Sequence, residues 1–359
     1  PSIAKPKISE DSESDVRRRS RSENYALGRH PALIGPSAKE ITAYIHARQD
    51  ALPAFEQSKT VVKRYGPIDA FSVNTHKGIV RANNEDRVSI LLNAQNKFMR
   101  LRDSGNSRIS CSMFSVFDGH GGITCCNYLK ENLHNALLEN LDIDGNIAAS
   151  IKRVYAKLDA DYIARAAEQK RNFAGSCAIT LVVLNNTLLC VNTGDSRAIL
   201  STRSGAKLVE ASADHKPDRM SEFARIIEHN GELYRMSSNA KTGQSSFYFA
   251  ETFAQVTKIN ELQRQSPGLL FGPWRAKPGG LSVARSFGDL ESKVVSLGGK
   301  PGVISCEPDI TEFEATDVDF AFLACKLSSG RRVRQAEQQG HTRHCVGHGA
   351  ALQARVQQA

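Results

Sequence analysis

No stretch of this 359-residue chain is apolar for long enough to cross a bilayer. The longest candidate, Cys177 to Val191, is broken by Asn185, Asn186 and Thr187, whereas a spanning helix needs about 20 mainly apolar residues. The N-terminal segment also lacks the apolar core of a signal peptide. Paired cysteine motifs are missing as well. The eight cysteines (Cys111, Cys125, Cys126, Cys177, Cys190, Cys306, Cys325 and Cys345) include no CxxC, and most sit in apolar, strand-like surroundings. Reduced, buried thiols are therefore expected, rather than disulfides or a structural zinc site. No repeat of 20 to 50 residues is visible. These absences lead us to expect a cytoplasmic protein, with the nucleus as the second compartment, that does not act at a membrane.

What is abundant is positive charge, a formal +9. Its placement argues against a nucleic-acid surface. Residues 326–359 carry six Lys/Arg against one Glu, residues 1–30 carry seven basic against five acidic side chains, and the middle is nearly balanced. A basic face would concentrate charge within the folded part. No nucleic-acid partner is expected.

At 40% hydrophobic and 24% charged, the chain can bury a sizeable core. Residues 1–28 are polar and mixed in charge, which predicts a disordered arm. Within it, Arg17–Arg19 followed by Ser20, Arg21 and Ser22 reads as a kinase target, a nuclear signal or a solvated charge run. Residues 29–65 are expected to form an extension with a short helix in 37–51. From Phe71 onward, "FSVNTHKGIVRANNEDRVSIL", "SCSMFSVFDGHGG" and "SCAITLVVLNNTLLCVNTGDSRAIL" supply strand-length apolar runs. "TCCNYLKENLHNALLENL" and "ASIKRVYAKLDADYIARAAEQK" show helical spacing. Strands and helices are grouped rather than alternating, which favours a layered α+β fold over a doubly wound sheet. Residues 236–279 look polar and irregular, a surface insertion. No strand or helix is expected in 326–359.

Several short loops after apolar segments place acids beside glycines. "FDGHGG" aims Asp118 from a strand end, in the manner of an oxygen-donor site for Mg²⁺ or Mn²⁺, although a tight turn with a solvated aspartate serves equally. "RANNEDR" sets Arg81 before the adjacent acids Glu85 and Asp86, which a solvated loop would also explain. "NTGDSR" offers Asp195 after a glycine, with Arg197 as a possible partner. "SADHKPD" and "GGLSVARSFGD" complete the series.

Taken in order, "R…NED", "FDGHGG", "GSCA", "GDSR", "DHKP", "E…RI…G", "LSVARSFGD" and "PDITEFE…FAFLAC" resemble the metal-dependent protein phosphatases of the 2C type, from about Phe71 to Cys325. The resemblance implies an α+β fold: a four-layer α-β-β-α sandwich of two antiparallel sheets flanked by helices, with a phosphatase domain over 66–325. It implies hydrolysis of phosphoserine and phosphothreonine in protein substrates by a monomer that uses two Mg²⁺ or Mn²⁺ ions. Carried over by position, Asp118 would bridge both metals, the Gly119 carbonyl would bind one and Asp86 the other, with Glu85 holding a water. Arg81 would orient the substrate phosphate, and His120 would be the general acid. Asp195 would lie nearby, at a weaker third metal. The insertion at 236–279 falls where the family carries a variable flap.

The chain also departs from the family. After "FAFLAC" the family has a ligand aspartate; here Lys326 follows, and a cation there opposes metal binding. A later Asp-Asn pair is absent, so the fold is expected to be incomplete at the C-terminus. His341, His344, Cys345 and His348 fit no standard zinc spacing. Suitable codons for Arg343 to Gln353, read one nucleotide later, encode Asp-Thr-Val-Ser-Ala-Met-Val-Leu-Arg-Tyr, close to the family's last ligand and terminal strand. We therefore expect the residues after Cys325 to be a frame-shifted reading. The competing functional expectation is a catalytically impaired phosphatase-like binding or scaffold protein.

Overall fold

The computed structural model describes residues 57–62, 68–77, 82–94, 110–143, 145–169, 173–203 and 206–325, with 57–58 and 351–356 described by their backbone alone. Arg81, Lys326, the 1–28 arm, the 37–51 helix and the His341–His348 cluster lie outside the described residues. Among the described residues no helix is long and apolar enough to cross a membrane.

Two six-stranded sheets dominate. The first runs β1 (Gln57–Val61), β2 (Ile68–Thr75), β16 (Ala351–Val356), β15 (Val318–Ala324), β7 (Arg197–Thr202) and β8 (Lys207–Glu210). The second runs β14 (Asp309–Glu314), β6 (Thr187–Thr193), β5 (Gly175–Leu184), β4 (Cys111–His120) and β3 (Arg87–Leu91), with the short β13 (Phe287–Gly288) added to β5. Neighbouring strands are antiparallel throughout both sheets.

Strand alternation sorts β4 into layers, because successive side chains on a strand face opposite ways. Met113 and Phe117 pack with Leu129, Leu133 and Leu137 of helix α1 (Thr124–Asn140) and with Ile151 and Tyr155 of α2 (Ile147–Glu168). Phe114 and Val116 instead pack with Ile68, Phe71, Ala321 and Leu323 of the facing sheet. The fourfold leucine spacing of α1 gives it one apolar stripe. Asn146 starts α2 by accepting from the Ala149 amide at 2.8 Å, satisfying one of the donors a helix start leaves open. Each fully buried leucine of α1 contributes roughly 2 kcal/mol by its removal from water.

A third group of elements makes its own core. Helix α3 (Met220–Glu228), β9 (Glu232–Asn239), β10 (Ser245–Ala250), helix α4 (Phe253–Gln265), β11 (Leu269–Phe271) and β12 (Arg275–Lys277) bury Phe223, Ile226, Leu233, Val256, Trp274 and Ala276 together. Residues 236–279 were expected to be irregular; they are a small antiparallel sheet and a capped helix. The apolar residues there are sparse but well placed, and Thr252 with Gln255 closes a reciprocal cap on α4.

Two further expectations are corrected. The first sheet begins at Gln57, inside the segment read as an extension, because β1 pairs with β2 over five residues. After Cys325 no strand was expected; yet Ala351–Val356 forms β16, hydrogen-bonded to β2 on one side and β15 on the other. Two facing strand edges present unpaired backbone groups that need partners, and "ALQARV", free of Gly and Pro, satisfies both without an apolar signature strong enough to read in the sequence.

Candidate active site

The alternation that sorts β4 also aims its last residues. Asp118 continues the face of Phe114 and Val116, toward the gap between the sheets. From the opposite sheet, Cys325 continues the face of Ala321 and Leu323 just after β15 and is buried in the same cluster. Asp86 immediately precedes β3. The donor atoms of Asp86, Asp118 and Cys325 all lie within 4.8 Å of one another, and the Cys325 Sγ stands 3.4 Å from Asp86 Oδ2.

The loop bearing Glu85 and Asp86 is fixed by backbone contacts. Arg87 donates to the Asn84 and Asp86 carbonyls at 2.9 and 2.8 Å and to Asn127 Oδ1 of α1 at 2.6 Å. Asn84 reaches Thr75 on the facing sheet at 2.8 Å. The Cys126 thiol donates to the Glu85 carbonyl at 2.9 Å, and Glu85 Oε1 accepts from the Gly122 amide at 2.9 Å. Gly119 is required for this approach: a Cβ there would collide with the Glu85 carbonyl oxygen.

His120 and Asp289 form the next part. His120 Nε2 lies 2.9 and 3.0 Å from the two Asp289 oxygens. Burial alone would lower the His120 pKa, but Asp289, then Asp118 and Asp195, outweigh it and raise it to about 9. Asp289 is 6% exposed and adopts φ of 57°, a left-handed conformation that costs a non-glycine residue roughly 1 kcal/mol and is tolerated best by Asp and Asn. Gly175 leaves the room the pair needs, since a Cβ there would meet both the Asp289 carboxylate and His120 Nε2. Asp159 of α2 anchors the segment by accepting from the Gly288 amide at 2.7 Å and pairing with Lys293 at 2.7 Å.

Asp195 sits on the other flank, with the Cys177 thiol 3.4 Å from its Oδ1 and Lys216 paired to its Oδ2. Cys177 is registered directly opposite Asp118 in the β4–β5 ladder. Arg197 does not pair with Asp195, as the sequence suggested. It takes Asp214 through two bonds of 2.7 and 3.1 Å, because it begins β7 and its side chain leaves the turn that presents Asp195.

The structure thus brings together Glu85, Asp86, Asp118, Gly119 and His120, with Asp195 reached through Cys177. Asp289 and Cys325 join them without a site role expected from the sequence. Asp289 ends the "SFGD" motif, which was the available signal; Cys325 looked like one more apolar strand residue. The donor set is compatible in kind with a hard divalent cation, since Asp86 and Asp118 offer oxygen, while Cys325 adds a soft sulfur.

Comparison with known proteins bears on the family and the fold. The chain is 32% identical over 213 residues to probable protein phosphatase 2C 11 of Arabidopsis thaliana, a match covering 59% of this chain and 45% of that protein. It is 39% identical over 120 residues to probable protein phosphatase 2C member 13, mitochondrial, of Oryza sativa subsp. japonica, covering 33% of this chain and 32% of that protein. The matched stretch spans less than half the length of these curated relatives. A solved C. elegans sex determining protein superposes with a TM-score of 0.57 at 18% identity, over 99% of this chain and 77% of that one. A phosphatase from a pathogenic strain of Toxoplasma gondii gives 0.56 at 18% identity, over 84% of this chain and 96% of that one; at such identity these two speak for the fold alone. Residues 73–326, well over half the chain, match the family model of protein phosphatase 2C, and the chain belongs to that family.

Proposed function

We propose that this chain hydrolyses phosphoserine and phosphothreonine in proteins, with Mg²⁺ or Mn²⁺, at the end of the sandwich where Asp86 and Asp118 converge. The observation that carries the reading is the meeting of these two carboxylates with the Gly119 turn on a fixed framework, in a chain of this family. Asp86, Asp118 and the Gly119 carbonyl would hold the cations, with Glu85 supporting a bound water. When bound, the metal supplies Lewis acidity toward water and phosphate. Two ions, with a weaker third near Asp195, are the arrangement the family resemblance implies.

The protein's own groups do the rest. Water attacks phosphorus, the bond from phosphorus to the Ser or Thr oxygen breaks, and His120 gives that oxygen its proton, held in orientation by Asp289. Arg81, four residues before Glu85, would present a planar fork to the phosphate. No cysteine nucleophile is needed.

A second reading, a phosphoprotein-binding module of reduced activity, is favoured by one observation: the sequence places Lys326 directly after Cys325, where the family has a carboxylate. Phosphate release from a phosphothreonine peptide, with Mn²⁺, with chelator, and with Asp118→Asn, separates the two. The catalytic reading expects turnover with Mn²⁺ that both chelation and the substitution abolish. Peptide binding without any metal-dependent turnover would overturn it in favour of the binding module.

A further inference from the structure

A cavity of about 600 Å³ lies against helix α4 and the loop before β12. Its walls include Lys216, Asp218, Arg235, Asn260, Arg264 and Trp274; Lys216 is paired with Asp195, which leaves two arginines against the one carboxylate of Asp218. It is separate from the Asp86–Asp118 centre.

Arg235 is the informative residue. It lies on β9, is 5% exposed, and its guanidinium sits over the rings of Phe271 and Trp274, 5.0 and 5.4 Å from their centroids. Its Nε and Nη2 donate to the Gly272 carbonyl at 3.0 and 2.6 Å, and its Nη1 donates to Asn260 Oδ1 at 2.8 Å. These acceptors are neutral. A buried charge is normally matched by an opposite one. Among the described residues no carboxylate stands within ion-pair distance of Arg235; Asp218 acts on it only at longer range, and burial lowers its pKa below the ordinary arginine value. A buried guanidinium stacked on aromatic rings at the wall of a cavity is suited to a carboxylate or phosphate. Arg264, exposed on α4, adds a second fork at the mouth.

A chain of contacts links the cavity to the candidate centre. Lys216 lines it and also pairs with Asp195; Asp195 touches Cys177, which stands opposite Asp118. We propose that this cavity binds an anionic side chain of the phosphoprotein substrate, a carboxylate or a second phosphate, on a residue flanking the one whose phosphate enters the centre. The inference rests on the phosphatase reading for its occupant. It makes the small sheet and α4 a selector for acidic or multiply phosphorylated segments.

The test is fluorescence anisotropy of labelled phosphothreonine peptides on the full chain in chelator, where no turnover occurs. The three peptides carry flanking glutamates, a flanking phosphoserine, or flanking glutamines. An anionic flank is expected to bind about tenfold tighter than the neutral one. Arg264→Ala and Arg235→Gln should each remove most of that difference, whereas Lys258→Ala, a charge loss on α4 outside the cavity lining, should keep it. Since Arg235 is buried, Arg264→Ala keeps the test decisive if Arg235→Gln fails to fold. A preference for phosphoserine over glutamate identifies the second phosphate as the occupant; equal preference identifies negative charge alone, and both support the proposal. Equal binding of all three peptides, or a difference that survives Arg264→Ala, overturns it. Hydrolysis of p-nitrophenyl phosphate with Mn²⁺, scored separately, fails only if the phosphatase reading fails.

Discussion

Two strand ends meet at the candidate centre, and they are built differently. Strand β4 delivers Asp118, Gly119 and His120 from a buried apolar run, and each is backed by a neighbour: Asp289 behind His120, the Glu85 carbonyl against Gly119, Cys177 across the ladder from Asp118. Strand β15 has the same alternation and reaches the same place, but it ends on Cys325, whose thiol faces Asp86 at 3.4 Å, and the sequence continues with Lys326. Strand periodicity fixes where a side chain arrives; the residue type alone fixes what it can do there. One half of the centre is a supported set of oxygen donors, and the other offers sulfur.

The substitution with the largest expected effect breaks the better half. Asp118→Asn should lower metal-dependent phosphothreonine hydrolysis by about a thousandfold while leaving the melting temperature close to that of the parent; steady-state kinetics and thermal denaturation check both. Next comes the support beneath β4. His134, buried under the sheet, accepts or donates to Ser89 and Ser115 at 3.2 and 2.8 Å, and burial lowers its pKa from 6.5 to about 4. The unfolded chain takes up this proton near pH 6.5 and the folded chain only near pH 4. The stability is therefore complete above the upper value and falls through that window, by about 3 kcal/mol in all. Chemical denaturation between pH 7 and 4 should show this slope, and His134→Gln should flatten it.

A smaller effect comes from filling the space behind His120. Gly175→Ala should cost about 2 kcal/mol by pushing the His120–Asp289 pair apart, read as a shift in the denaturation midpoint. The smallest change sharpens the comparison from the weaker half: Lys326→Asp should raise Mn²⁺ affinity about tenfold, measured by calorimetric titration.

Much of this organisation is legible in the sequence because it is periodic. The β4 and β5 runs, the leucine spacing of α1 and the order of the acid-glycine loops all leave a one-dimensional trace. What is not legible depends on partners distant in the chain. Asp289 gains its place from Gly175, 114 positions earlier, and from a left-handed backbone turn that the sequence does not announce. Arg197 turns to Asp214 instead of its near neighbour Asp195 because strand direction outweighs proximity along the chain. Strand β16 owes its existence to two open edges, since its own residues carry little β signal, and the small sheet of β9–β12 hid behind polar residues because only a few of its side chains reach a core.

The decisive property of the centre is whether its two converging carboxylates hold a divalent ion. Water-proton relaxation during Mn²⁺ titration reports bound Mn²⁺ whether or not the chain turns over substrate. Enhancement should saturate for the parent chain and be lost in Asp118→Asn with the fold intact. Identical enhancement in the two proteins, or none in the parent, would contradict this.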